Sequence, residues 1–174
     1  MSKGKKVNFE LIEDLKSEPY KILATMRKWH DDIAEAAIAL AWRTALKPDK
    51  DGHLVLGKCL KVSDLYREFA AFDFIILLNR EVWEDSGFTV DKKKALMDHE
   101  LCHAAAVSND DGAVYDERER RVFRTRKHDI EEFNAIVQRH GCYKHDLEVF
   151  AEALLKKRKT PMFDSTESTG VPLQ

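Results

Sequence analysis

The sequence predicts an α+β domain, and three observations carry the prediction. Residues 72–79 (FDFIILLN) form a short apolar run rich in β-formers, which reads as a buried strand. A turn cluster, Lys47-Pro48-Asp49-Lys50-Asp51-Gly52, lies between two further strand-length runs. Segments around 9–29, 90–107 and 146–158 repeat apolar residues at three- and four-residue spacing, the signature of one helix face. Together these give N-terminal helices, a small sheet of three or four strands, a helix packed under it, and two C-terminal helices.

Each element has its own signal. Over residues 9–29 the helical spacing runs through Phe9, Ile12, Leu15, Tyr20, Leu23, Met26 and Trp29, with Pro19 dividing it into two helices. Residues 34–43 (AEAAIALAWR) fit either a helix, by their alanines, or a buried strand, by their continuity. The Asp-Gly turn and the run 53–60 after it predict a hairpin. Ser63 is suited to cap a short helix through Phe69, and Thr89 to cap a longer one from Val90 to about Val107. Asn109-Asp110-Asp111-Gly112 ends that unit, and residues 113–127, strongly charged, read as an exposed hairpin or edge strand. A helix from Asp129 to about Arg139 stops at Gly141, and an amphipathic helix over 146–158 closes the fold. The expected organisation is a flexible N-terminus over 1–8, one domain over 9–159, and a disordered Pro/Ser/Thr-rich tail over 160–174.

Composition narrows the function. The chain has 174 residues, 44% hydrophobic and 34% charged, with 29 basic against 31 acidic side chains and a net charge of −2. The apolar share excludes global disorder, and the near-neutral balance argues against a large nucleic-acid-binding face. No apolar run approaches the roughly 18 residues of a membrane span, and no apolar stretch follows the basic start to make a secretory signal. Three cysteines, Cys59, Cys102 and Cys142, an odd and sparse set without paired spacing, suggest a reducing, cytoplasmic setting.

The chemistry sits at His99-Glu100-Leu101-Cys102-His103, an H-E-x-x-H pattern. On a helix, residues four apart share a face, so both imidazoles can grip one ion while the glutamate serves as general base. Zinc suits such a site, one ion per chain, completed by a third ligand and an open position. Downstream candidates for that ligand are Asp116, Glu117, Glu119, His128, Asp129, Glu131, Glu132, His140 and His145. His128 opens the helix expected from 129, and Glu131 or Glu132 would make a His-His-Glu set instead. The gap from His103 to His128 and the alanine at 106 depart from the metzincin pattern. Tyr115 is a candidate to stabilise an oxyanion, and Asp98 and Asp129 to orient ligand imidazoles. Cys102 is expected to be a buried thiol turned away from the ligand pair.

These residues resemble a known family. His99-Glu100-Leu101-Cys102-His103-Ala104, with Lys127-His128-Asp129-Ile130-Glu131-Glu132-Phe133 after it, is similar to the phage metallopeptidase family. The resemblance extends upstream through Ala41-Trp42-Arg43, Asp51-Gly52-His53, Phe72-Asp73-Phe74 and Leu78-Asn79, over about residues 30–155. More distantly the chain resembles the SprT/Spartan zincins. The resemblance implies a minimal zincin-like fold, with zinc on His99, His103 and His128, Glu100 as general base, and a protein or peptide substrate. If the chain is phage-encoded, the location is the host cytoplasm. Two other readings stand beside it. The basic runs Arg118–Lys127 and Lys156–Lys159 would serve a DNA-associated protease or DNA-binding protein. A non-catalytic zinc module would close the site with His140, Cys142 or His145 as a fourth ligand.

Overall fold

A computed structural model describes residues 7–159. The tail expected from 160, and residues 1–6 of the expected flexible N-terminus, lie outside the described residues; Asn8 already belongs to a strand. Two compact units emerge, one ending at Lys127 and the other beginning at His128. Among the described residues no helix is long and apolar enough to cross a membrane.

The first unit is α+β, as predicted. Its elements run β1 (Asn8–Leu11), α1 (Glu18–Met26), β2 (Ile38–Thr44), β3 (Gly57–Lys61), α2 (Asp64–Arg67), β4 (Phe74–Asn79), α3 (Arg80–Trp83) and α4 (Val90–His103). They are followed by the short strands β5 (Ala104–Ala106), β6 (Ser108–Asn109), β7 (Gly112–Ala113) and β8 (Phe123–Thr125). The main sheet has the order β1-β2-β4-β3, while β5 pairs with β8 and β6 with β7.

Several expectations change here. Residues 8–11 do not begin a helix: they pair antiparallel with β2, where Phe9 stands opposite Arg43 and lies under its guanidinium. Pro19 starts α1 rather than breaking it, because its missing N–H is one that a first helical turn leaves unbonded anyway. The segment 34–43 resolves as strand from Ile38. The expected hairpin across the Asp-Gly turn does not form: β2 and β3 flank β4 on opposite sides, β2 parallel and β3 antiparallel to it. A strand as apolar as β4, whose Phe74, Ile76 and Leu78 are fully buried, offers both edges, and the long connection lets β3 reach the far one.

The core joins this sheet to α1 and α4. Met97 and Leu101, four residues apart on α4, are completely buried with Ile33, Leu40 and Ile76. Phe123 of β8 packs edge-to-face on Phe74 at 5.5 Å. Glu18 in the first turn of α1 accepts from Lys93 of α4 at 2.8 Å and from the Trp83 indole at 3.0 Å. The Lys93 ammonium is the main cause that holds the Glu18 carboxyl below its ordinary value. A buried ion pair fixes the other end: Arg67 meets Asp73 at 2.5 Å, and Asp73 also accepts the Ala37 N–H at 2.7 Å.

The second unit holds α5 (Asn134–His140) and α6 (His145–Lys159). The helix expected from Asp129 begins only at Asn134. Upstream, the Glu132 carboxylate takes the Phe133 N–H at 3.0 Å, Lys144 at 2.7 Å and the Tyr143 hydroxyl. These local bonds compete with helical ones.

Because both partners of the Arg67–Asp73 pair are nearly buried, Arg67→Ala strands a carboxylate. The expected loss in urea unfolding is about 3 kcal/mol or more; a loss below about 1 kcal/mol would show that the pair is solvated.

Candidate metal centre

Thr89 caps α4, accepting the Lys92 N–H through its hydroxyl. Helical periodicity then sorts the motif. Glu100 falls on the buried side with Met97 and Leu101, while His99 and His103 are neighbours one turn apart on the adjoining side. Their Nε2 atoms stand 3.3 Å apart, with the rings edge-to-face. A tetrahedral ion with Zn–N bonds of about 2.0–2.1 Å separates its ligand atoms by about 3.3 Å. The pair therefore has the spacing that one zinc ion requires.

The helix ends at His103, not at Val107 as expected, and Arg126 explains why. Ala104 turns to extended backbone and enters β5, which pairs with β8. One residue past β8, the Arg126 N–H donates to the His103 carbonyl at 2.8 Å and its Nε donates to the Cys102 carbonyl at 2.8 Å. Two carbonyls that a helix end leaves unbonded are thus satisfied. In return the Arg126 carbonyl lies 2.8 Å from His103 Nδ1. A carbonyl can only accept, so Nδ1 carries the proton and Nε2 keeps its lone pair for a metal. Sequence reading placed Arg126 only within a basic run, and nothing local to residue 126 announces this contact.

Glu100 is 3% exposed. The Cys59 N–H donates to its carboxylate, while Oε2 is buried and has no hydrogen-bond partner among the described residues. Burial raises its pKa, with the neighbouring His103 acting in the opposite direction. An unpaired buried carboxylate oxygen is costly. It stands beside two imidazole nitrogens at metal spacing. The residues present therefore fit a zinc ion.

Gly57 makes room for this carboxylate. A Cβ there would sit 2.5 Å from Glu100 Oε1 and 3.0 Å from its Cδ. A glycine inside the run 53–60 read as a strand was the available signal, since such glycines mark close approach by another group. Asn79, 3% exposed, holds the approach to β3: its N–H donates to the Leu56 carbonyl at 2.9 Å and its amide to the Val55 carbonyl at 3.2 Å. Val55, Leu56 and Gly57 then face Phe88, Ala95 and Leu96 across a cleft of about 440 Å³ that reaches His99 and Glu100.

The remaining sequence candidates are placed as follows. Asp98 bonds His30 at 2.8 Å. Tyr115 is half-exposed, its ring beneath the Arg121 guanidinium. Cys102 is exposed, contrary to expectation, because the last turn of α4 carries it to the surface. His128, Asp129, Glu131 and Glu132 belong to the second unit. Lys144, first, and Tyr143 hold the Glu132 carboxyl down at about 2, so it is engaged within its own unit. Four of the six basic residues in the first run are committed. Arg118 and Arg120 pair with Glu68, Arg120 also with Asp116 at 2.8 Å, Arg121 with Tyr115, and Arg126 with the helix end.

Two measurements check this arrangement. Gly57→Ala is expected to lower stability by about 1–3 kcal/mol, as overpacking does, and Glu100→Ala in the same chain to restore part of the loss; additive losses would separate the two residues. Burial, with help from the Glu100 charge, pushes the Cys59 thiol up to about 12. At pH 8 it is then thiolate in only about one molecule in ten thousand. Iodoacetamide, with chelator present, is expected to label Cys102 and Cys142 in the native protein and Cys59 only after unfolding. Rapid native labelling of Cys59 would contradict its place in the core.

The family model for "Putative phage metallopeptidase" matches residues 11–156, spanning β2, β3, β4, α4 and both histidines. No curated protein and no solved structure matches the chain. Paired imidazoles at metal spacing, beside a buried and half-satisfied glutamate, give that match a physical site. The chain belongs to the putative phage metallopeptidase family.

Proposed function

We propose that this chain is a zinc-dependent metallopeptidase in which His99, His103 and His128 hold one zinc ion and Glu100 is the general base. One observation carries the reading: the buried, unpartnered Oε2 of Glu100 on the same helix as two Nε2 atoms 3.3 Å apart. The family supports it, since a metallopeptidase implies a metal ion and a peptide or protein substrate.

Chain connectivity favours His128 as third ligand. Arg126 is bonded to His103 in both directions. Two residues of chain reach at most about 7 Å, so His128 cannot stray far from that anchor. Glu131 stands three residues further on, and Glu132 is held by Lys144 and Tyr143.

A bound zinc ion would supply Lewis acidity and bring the pKa of water down from about 15.7 towards 7. Glu100 would accept, at Oε2, a proton from the water that attacks the peptide carbonyl and return it to the departing nitrogen. Burial raises its pKa, which makes it a stronger base than a solvated carboxylate. Arg126 keeps His103 in the metal-binding tautomer throughout. The largely apolar cleft beside Glu100 is suited to take a substrate side chain. The committed arginines offer little free charge to a nucleic-acid backbone, so the peptide reading is preferred.

Glu100→Gln is expected to retain zinc while hydrolysis of an unfolded protein substrate falls by about 10²–10⁴. His99→Ala and His103→Ala should lose both zinc and activity. Activity surviving in Glu100→Gln would remove the general base, and undiminished zinc in His103→Ala would remove the site.

A further inference from the structure

α4 carries a second pair of potential ligands. Asp98 and Cys102 are also four residues apart, each one position before a motif histidine. Successive residues turn by about 100°, so the Asp98/Cys102 pair forms a stripe beside the His99/His103 pair. It faces His30, which is 8% exposed and lies in the loop between α1 and β2.

That loop is built to hold the imidazole. The Arg27 guanidinium donates to the carbonyls of Ile33 at 2.9 Å, Ala34 at 2.7 Å and Ala36. His30 itself donates its N–H to the Arg27 carbonyl at 3.0 Å and accepts the Ile33 N–H at 3.2 Å. Its Nε2 lies 2.8 Å from Asp98 Oδ1. One ring nitrogen of His30, one oxygen of Asp98 and Sγ of Cys102 all lie within 4.8 Å of one another. The His30–Asp98 bond explains two of these groups. The Cys102 sulfur converges on the same point.

We propose that His30, Asp98 and Cys102 form a second binding site, separate from the histidine pair, for a divalent cation of the zinc class. Imidazole, carboxylate and thiolate together match a borderline-soft ion rather than magnesium or calcium, which take oxygen ligands. Three protein ligands leave one tetrahedral position for water. The site opens to solvent, since the Asp98 side chain is 47% exposed and Cys102 is exposed. On binding, the Cys102 thiol proton passes to solvent as the metal–sulfur bond forms.

Cobalt(II) titration of the full chain, stripped with chelator, tests this directly. A site of nitrogen and oxygen ligands gives no thiolate-to-cobalt charge-transfer band in the near ultraviolet. The band therefore reports Cys102 whether or not the histidine pair binds metal. It is expected in the wild type and in Cys59→Ser/Cys142→Ser, and to vanish in Cys102→Ser. Asp98→Asn should weaken cobalt affinity at this band by about tenfold or more, since even an outer-shell partner is worth that much. Both substitutions are at exposed side chains, and circular dichroism checks that the fold is kept. Absence of the band in the wild type, its survival in Cys102→Ser, or its loss in Cys59→Ser/Cys142→Ser would overturn the proposal.

Discussion

The contact of Glu100 with the backbone of β3 is the constraint on which the rest depends. A carboxylate this buried must touch something polar, and β3 offers one N–H, from Cys59. It must also fit, and Gly57 provides the space that any side chain would remove. The sheet order follows from the same need. Among the described residues β3 lies at the edge of the main sheet, paired with β4, and Asn79 at the end of β4 fastens the residues leading into it. The strand that flanks the glutamate also supplies Gly57 to the wall of the cleft. One oxygen of Glu100 is satisfied by the fold, and the other has no hydrogen-bond partner among the described residues.

Arg126 plays the complementary part on the histidine side. Its backbone and guanidinium finish α4, and its carbonyl sets the His103 tautomer. The helix cannot run on through the alanines after it, although their propensity favours that, because β5 and β8 pair there. Ending the helix at His103 leaves the second imidazole in the last turn, beside the returning chain. The basic run thus serves internal geometry: most of its charges are spent on Glu68, Asp116, Tyr115 and the helix end.

The legible part of this protein was local. An i, i+4 histidine pair needs only helical periodicity, and Thr89, Ser63 and the β4 run declare themselves within a few residues. The non-local part was not legible. The Asp-Gly turn suggested that β2 and β3 pair with each other, yet both pair with β4, because strand partners are decided by the buried sheet as a whole. The late start of α5 depends on Lys144 and Tyr143 reaching back to Glu132. Arg126 acts through a backbone carbonyl, which any residue could carry. Cys102 was read as buried because helix geometry turns it away from the ligand pair, whereas the face it occupies meets His30 and Asp98 at the surface. Gly57 was visible as a glycine inside a strand run, but its neighbour, 43 positions away, was not.

The most direct test of the metal centre is zinc-edge X-ray absorption on the full-length Cys102→Ser chain, in which the second site has no sulfur, loaded with one equivalent of zinc. A catalytic site of the proposed kind predicts four-coordinate zinc with imidazole nitrogens and a non-protein oxygen, all at about 2.0–2.2 Å. Four protein ligands, with sulfur at about 2.3 Å, would instead describe a closed structural site, and zinc without imidazole scattering would contradict the account altogether.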